Sequence, residues 1–160
     1  MNIGIIVHSQ TGNTHSVAVK LQEKLSAAGH AVTLERLQVA GAIKPGTRDI
    51  PFETLPDTGR YDMLVFGAPV NAFSLSPVMK SYLNQVTAVR GKGVSLLVTQ
   101  QFPYAWMGGH RAINQMRAAC EAKGAVVLER GIVNWSRKER DQQIREVVDR
   151  LCKAMSTLEE

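Results

Sequence analysis

Cysteine, aromatic residues and long apolar runs are all scarce in this chain of 160 residues, and each shortage removes a class of function. The two cysteines, Cys120 and Cys152, lie far apart in helical patterns. That spacing argues against a disulfide framework, a Cys-x-x-Cys redox motif and a thiolate metal pair, and leaves two buried reduced thiols. No apolar run approaches the ~20 residues of a membrane span, and Met1-Asn2-Ile3-Gly4 carries no basic leader. The expectation is a soluble cytoplasmic protein with no membrane partner. Its histidines, His8, His15, His30 and His110, are not paired at metal-ligand spacing, so no metal site is expected.

Several motifs are missing as well. There is no Gly-x-x-x-x-Gly-Lys-Ser/Thr loop for a nucleoside triphosphate and no Gly-x-Gly-x-x-Gly dinucleotide fingerprint. A Cys-x-x-x-x-x-Arg phosphatase loop and a Gly-x-Ser-x-Gly nucleophile elbow are absent. The acidic cluster that a receiver domain needs at its strand ends is replaced by His8-Ser9 and Gly67-Ala68. No residue stands out as a nucleophile or general base, so the hard chemistry would belong to a bound cofactor. The formal charge of +5 raises the question of a nucleic-acid partner. Near the end, however, Arg137, Lys138, Arg140, Arg145 and Arg150 alternate with Glu139, Asp141, Glu146 and Asp149, and no aromatic platform accompanies them. That pattern is a solvated helix face, and no nucleic-acid partner is expected.

What is present begins at Ile3. Ile3-Gly4-Ile5-Ile6-Val7 is a short β-branched run that reads as a buried strand, and a helical pattern starts at Val17. Between them stand Ser9, Gln10, Thr11, Gly12, Asn13 and Thr14. The first amides of a helix lack intrahelical partners and carry the positive end of its dipole, so such a turn offers donors to an anion. Ser9, Thr11 and Thr14 add hydroxyls, Asn13 adds an amide, and Gly12 lets the backbone come close. An ordinary capped helix needs only one such residue, and this turn supplies several. With no Lys or Arg in it, the turn is a neutral cradle suited to a phosphate monoester.

Further along, Val17, Val19, Leu21, Leu25 and Ala28 form an apolar helix face that ends at Gly29, and Ala31 to Arg36 reads as a second strand. From Leu37 to Arg60, Gly41, Pro45, Gly46, Pro51, Pro56 and Gly59 break any long element, which suggests a loop with one short helix. Met63-Leu64-Val65-Phe66 is a central strand, and Ser76 and Pro77 cap and open a helix to about Val89. Val94 to Val98 gives the fourth strand, Thr99 to Gly109 a long loop, Arg111 to Lys123 a helix, Ala125 to Val133 the fifth strand, and Arg137 to Met155 a closing helix. Strands alternating with helices mean an α/β fold in one domain, since each parallel pair needs a right-handed crossover. At this length a single core can bury roughly 70% of the unfolded surface.

Ser9-Gln10-Thr11-Gly12-Asn13-Thr14 resembles the Thr/Ser-x-Thr-Gly-x-Thr phosphate loop of flavodoxins, and the order of segments resembles that family from Ile3 to about Met155. The resemblance implies a three-layer fold with a five-stranded parallel sheet of order 2-1-3-4-5, helices on both faces, and FMN outside the carboxyl ends of strands one and three. It places the FMN phosphate on residues 9–14. His15, by its closeness to that loop, offers a further donor, the alternative being a surface or capping role. Gly67-Ala68-Pro69-Val70-Asn71-Ala72-Phe73 resembles the segment that follows the isoalloxazine edge in flavodoxins and related FMN reductases. Asn71 or Phe73 would cover a ring face there; the alternative for Phe73 is core packing under the next helix. The loop Thr99-Gln100-Gln101-Phe102-Pro103-Tyr104-Ala105-Trp106 is too long for a simple connection. Tyr104 or Trp106 would stack on the flavin, the alternatives being loop anchoring or a homodimer contact. Two functions follow from the resemblance: an electron carrier between redox partners, or an NAD(P)H-dependent FMN or quinone reductase. The third reading is a flavin-binding module without turnover. Carriers of this family are often acidic, so the basic charge departs from that pattern.

Overall fold

The computed structural model describes residues 1–41 and 50–157, and one parallel sheet carries the functional end of the chain. Strand β1 (Asn2–Val7) is followed by helix α1 (Asn13–Ala27) and strand β2 (Ala31–Arg36). Two short strands, β3 (Gln38–Val39) and β4 (Phe52–Thr54), then pair antiparallel, and a single 3-10 turn covers Thr58–Arg60, capped by the Asp57 carboxylate. Strand β5 (Met63–Asn71) turns back into β6 (Ser74–Leu75), and helix α2 (Pro77–Gln85) follows. Strand β7 (Gly93–Gln100), helix α3 (Gly109–Ala122), strand β8 (Val126–Asn134) and helix α4 (Arg140–Thr157) complete the order.

The main sheet runs β2-β1-β5-β7-β8 with every neighbour parallel, and β6 adds antiparallel to the end of β5. Counting only the five parallel strands, this is the 2-1-3-4-5 order that the resemblance implied. Because β1, β5 and β7 lie inside the sheet, both their faces are buried, and their residues read as continuous apolar runs rather than alternating ones. On one face Ile6, Leu64, Phe66, Leu96 and Val98 pack against α2 and α3. On the other, Ile3, Ile5, Val65 and Leu97 pack against α1 and α4.

The structure corrects several boundaries. The stretch from Leu37 to Arg60 holds the β3–β4 pair as well as the short helix, while residues 42–49 lie outside the described residues. Helix α2 stops at Gln85, because Val86 is already extended with ψ 142°. The segment after Gly67 continues as strand to Asn71, and Ala72 and Phe73, with φ of 49° and 61°, make a two-residue hairpin turn. Two positive φ values in succession match the right-handed twist of the flanking strands. Thr99 and Gln100, placed in a loop by the sequence reading, belong to β7.

Candidate functional site: a neutral cradle at the head of α1

The parallel sheet brings the carboxyl ends of β1, β5 and β7 side by side, and the chain leaves β1 at that end. The His8 amide still donates to Gly67 O at 2.9 Å, so the turn starts from a fixed point on β5. Gly12 then takes a φ of 92°, a left-handed conformation that costs most side chains about 1–2 kcal/mol, and caps α1. No acidic residue occupies the first turn of α1. The His15 amide donates to Ser9 Oγ at 3.2 Å, and Ser16 N closes the first helical bond to Gly12 O. Among the described residues, the amides of Gln10, Thr11, Gly12, Asn13 and Thr14 have no acceptor. Five free donors at the positive end of a helix can serve an anion, with no cation in the loop.

A cleft of about 100 Å³ opens on this cradle. Gln10, Thr11, Asn13 and Thr14 line it from the first turn, Pro69, Val70 and Asn71 from the end of β5, and Thr99, Gln100 and Gln101 from the end of β7. Three separate segments singled out in the sequence therefore meet at one place. Thr14 is buried there and its hydroxyl hydrogen-bonds the Thr99 hydroxyl at 2.7 Å, which locks α1 to β7. One residue escaped the sequence reading: Arg36, the last of β2, donates from Nη2 to Ser9 O at 3.1 Å. It pins the turn from behind, and the signal was its position, since β2 neighbours β1 in the sheet.

Of the residues singled out in the sequence, Ser9, Gly12, Ala72, Phe73, Phe102, Tyr104 and Trp106 do not line the cleft. Phe73 stands on the hairpin turn and is half exposed, so it is not core packing under α2. Its ring stacks on Phe102 with centroids 5.1 Å apart and planes 9° from parallel. Tyr104 and Trp106 stack on each other at 6.1 Å, and the Arg137 guanidinium lies 5.9 Å from the Tyr104 ring. The two loops interlock at Gly108, where φ is 116° and an added Cβ would meet Phe73 Cα at 2.8 Å. Gln100 holds the aromatic loop from inside: its Nε2 donates to Tyr104 O and to Asn134 Oδ1, and the Asn134 amide donates to Gln143 Oε1.

His8, one residue before the cradle, is buried, with Nδ1 2.6 Å from Ser76 Oγ. Ser76 Oγ also accepts from Met79 N, so the histidine braces the cap of α2. Burial, with a smaller contribution from the Arg36 charge, pushes its pKa down to about 4. The folded chain therefore resists a proton that the unfolded chain accepts near pH 6.5. Stability is expected to fall as the pH drops from 6.5 towards 4, this group alone costing about 2.5 kcal/mol by pH 4.5. Urea unfolding at pH 7.5 and 4.5 measures it, and His8→Gln should remove that share of the loss.

The thiols take no part. Burial raises Cys120 to about 12, and Cys152 is buried on the inner face of α4. A larger groove, of about 370 Å³, runs along the outer edge of β8 between α3 and α4, away from the cradle. The chain's own side chains blunt that edge: Arg150 Nη2 donates to Arg130 O, and Gln143 accepts from the Asn134 amide. The smaller cleft is the candidate site, because free donors and the sheet's carboxyl ends coincide there.

With this geometry in place, the comparisons are specific. The model of the NADPH-dependent FMN reductase family matches residues 1–140, and the chain belongs to that family. No curated protein matches the chain. Among solved structures, a Streptococcus pneumonia flavodoxin aligns over 98% of this chain and 99% of its own, with a TM-score of 0.72 and 16% identity. Oxidised flavodoxin 1 from Bacillus cereus gives 0.69 at 14% identity over 96% of each chain. Two-electron reduced Megasphaera elsdenii flavodoxin gives 0.60 at 20% identity, over 92% of this chain and 98% of that one. At these identities the neighbours establish the flavodoxin-like fold.

Proposed function

We propose that the chain binds FMN, with its phosphate on the amides of residues 10–14, and works as an NAD(P)H-dependent flavin or quinone oxidoreductase. The observation that carries the cofactor is the set of five unpartnered amides in a turn free of carboxylates, a donor set that fits a phosphate dianion. The Thr11 and Ser9 hydroxyls complete the cradle. Pro69, Val70 and Asn71 on one side and Gln101 on the other would border the ring system. Bound FMN supplies the hydride and electron chemistry; the protein's part is to hold the phosphate, fix the ring against the ends of β5 and β7, and exclude water. Membership of the NADPH-dependent FMN reductase family and the net charge of +5, unlike the acidic carriers, support the reductase.

A second reading is an electron carrier, favoured by the fold that 98% of this chain shares with a flavodoxin. One preparation separates the two. Purified protein loaded with FMN is yellow; anaerobic NADPH or NADH should bleach it within seconds if it is a reductase. Persistent colour with either nucleotide, together with bleaching by dithionite, makes it a carrier. Protein that takes up no FMN at micromolar concentration contradicts both.

A further inference from the structure

The groove of about 370 Å³ beside β8 lies outside the flavin cleft and has the strand's own edge as its floor. β8 ends the sheet, so every second residue turns its N–H and C=O away from β7. Beyond Glu129 those residues are Arg130, Ile132 and Asn134, because the intervening register faces β7, with the Trp135 amide donating to Gln100 O. At Asn134 the outward pair is already used: the amide donates to Gln143 Oε1 and the carbonyl accepts from Arg137 N. At Arg130 it is used as well, the amide donating to Glu129 Oε1 and the carbonyl accepting from Arg150 Nη2. Ile132, between them, has no partner for either outward group among the described residues. The chain covers its edge on both sides of Ile132 and leaves one donor and one acceptor free, side by side, in the groove.

The walls stand close at this level because two glycines let them. A Cβ added at Gly131 would meet Val147 Cγ1 of α4 at 2.5 Å, and one added at Gly109 of α3 would meet Ile132 Cγ2 at 3.0 Å. Helices α3 and α4 therefore flank the free pair. Exposed His110 and Asn114 stand on the α3 rim, and exposed Arg130, Glu146 and Arg150 on the other flank. Two guanidinium groups face one carboxylate, which accepts from Gln142 Nε2, so the rim favours a neutral or anionic ligand over a cation.

An added strand, from another protein or a second copy, would need the outward pairs at Arg130 and Asn134, which are occupied. A compact planar ligand needs only the pair at Ile132. Every nucleobase carries a donor next to an acceptor on its pairing edge, and the groove lies at the small end of the ~300–1,000 Å³ typical of small-molecule sites. We propose that this groove binds a nucleobase, paired edge-on to the Ile132 N–H and C=O, with the phosphate of its nucleotide towards Arg130 and Arg150. The site is separate from the cradle and does not depend on the flavin reading.

NMR titration of the isotope-labelled protein, saturated with FMN to close the cradle, with AMP, GMP, CMP and UMP tests it. FMN uptake is measured first, and shifts at residues 10–14 are scored apart from those at Ile132, so that failure of either site is seen separately. In the ligand-free state the Ile132 amide should exchange with solvent about tenfold or more faster than those of Gly131 and Val133, which face β7. At least one mononucleotide should bind with a dissociation constant below about 1 mM, shift the Ile132 amide and slow its exchange. Methylating the donor nitrogen of that base should weaken binding about tenfold or more, because the Ile132 carbonyl loses its partner. Asn114→Trp, which fills the groove from an exposed position on α3, should abolish binding and leave FMN affinity unchanged. Ile132→Pro, which deletes an amide the ladder does not use, should weaken it about tenfold or more. No response of Ile132 at about 10 mM mononucleotide, equal affinity for the methylated base, binding indifferent to Asn114→Trp, or shifts confined to residues 10–14 would overturn it.

Discussion

Thr11→Asp is expected to reduce FMN affinity by about a thousandfold or more and to leave riboflavin affinity unchanged. Thr11 is exposed on the cleft, inside the run of free amides, and forms no hydrogen bond of its own. A carboxylate there would face the phosphate dianion at close range, and each pair of unit charges about 4 Å apart repels by about 4 kcal/mol at an effective dielectric constant of 20. Thr11→Ala separates the loss of a donor from the gain of a charge. Removing one hydroxyl bond to a charged group costs about 1.5–3 kcal/mol, roughly ten- to a hundredfold in affinity. The fold should be indifferent to both, within about 0.5 kcal/mol, because the side chain is exposed. Thr14 is the contrasting position: it is buried and bonded to Thr99, so Thr14→Ala leaves the Thr99 hydroxyl without its partner and should lower stability as well as affinity. Titration of each variant with FMN and with riboflavin, followed by flavin fluorescence, gives all of these numbers. Equal losses for the two ligands would move the phosphate elsewhere.

Phe66→Ala is expected to cost about 3–5 kcal/mol of stability, a large share of the 5–15 kcal/mol that holds a domain of this kind together. Phe66 has no exposed surface, lies in the central strand β5, and meets the Tyr82 ring of α2 edge-on at 6.2 Å. Tyr82 in turn meets Phe52 of β4 at 6.3 Å and donates its hydroxyl to Pro56 O. The ring therefore fills the space that joins the sheet, α2 and the β3–β4 pair. Urea unfolding should show the midpoint falling with little change in slope. Phe66→Leu, which keeps most of the volume, should lose far less; equal losses would mean that the site collapses around any deletion.

The sequence made the five parallel strands legible because three of them are buried on both faces, and an uninterrupted β-branched run has few other uses. The cradle was legible for a different reason: it is built from consecutive residues, and its chemistry depends on main-chain amides that any strand-to-helix turn supplies. The hairpin at Ala72 and Phe73 was not. Tight hairpin turns usually announce themselves with Asn-Gly or Asp-Gly, whereas here an alanine and a phenylalanine accept positive φ. They are held there by Gln115, whose Oε1 accepts from both Ser74 Oγ and Leu75 N, a tertiary contact that no local pattern carries. Thr99 and Gln100 look like loop in the sequence because polar residues break the apolar run. Their partners, Thr14 and Asn134, are 85 and 34 residues away and make burial possible. The same limit hid Arg36, whose role depends on which strand lies beside β1. It also left the direction of the Tyr104 and Trp106 rings unread, since composition gives the presence of aromatic side chains but not the way they face: they stack on each other outside the lining of the cleft.

The most direct measurement is a calorimetric comparison of FMN and riboflavin binding to the unmodified apoprotein in buffer free of phosphate. If the turn after β1 grips the mononucleotide by its charged end, FMN should bind about a hundredfold more tightly or better, and millimolar inorganic phosphate should weaken FMN while leaving riboflavin untouched. Equal affinities for the two flavins, with no effect of phosphate, would contradict it.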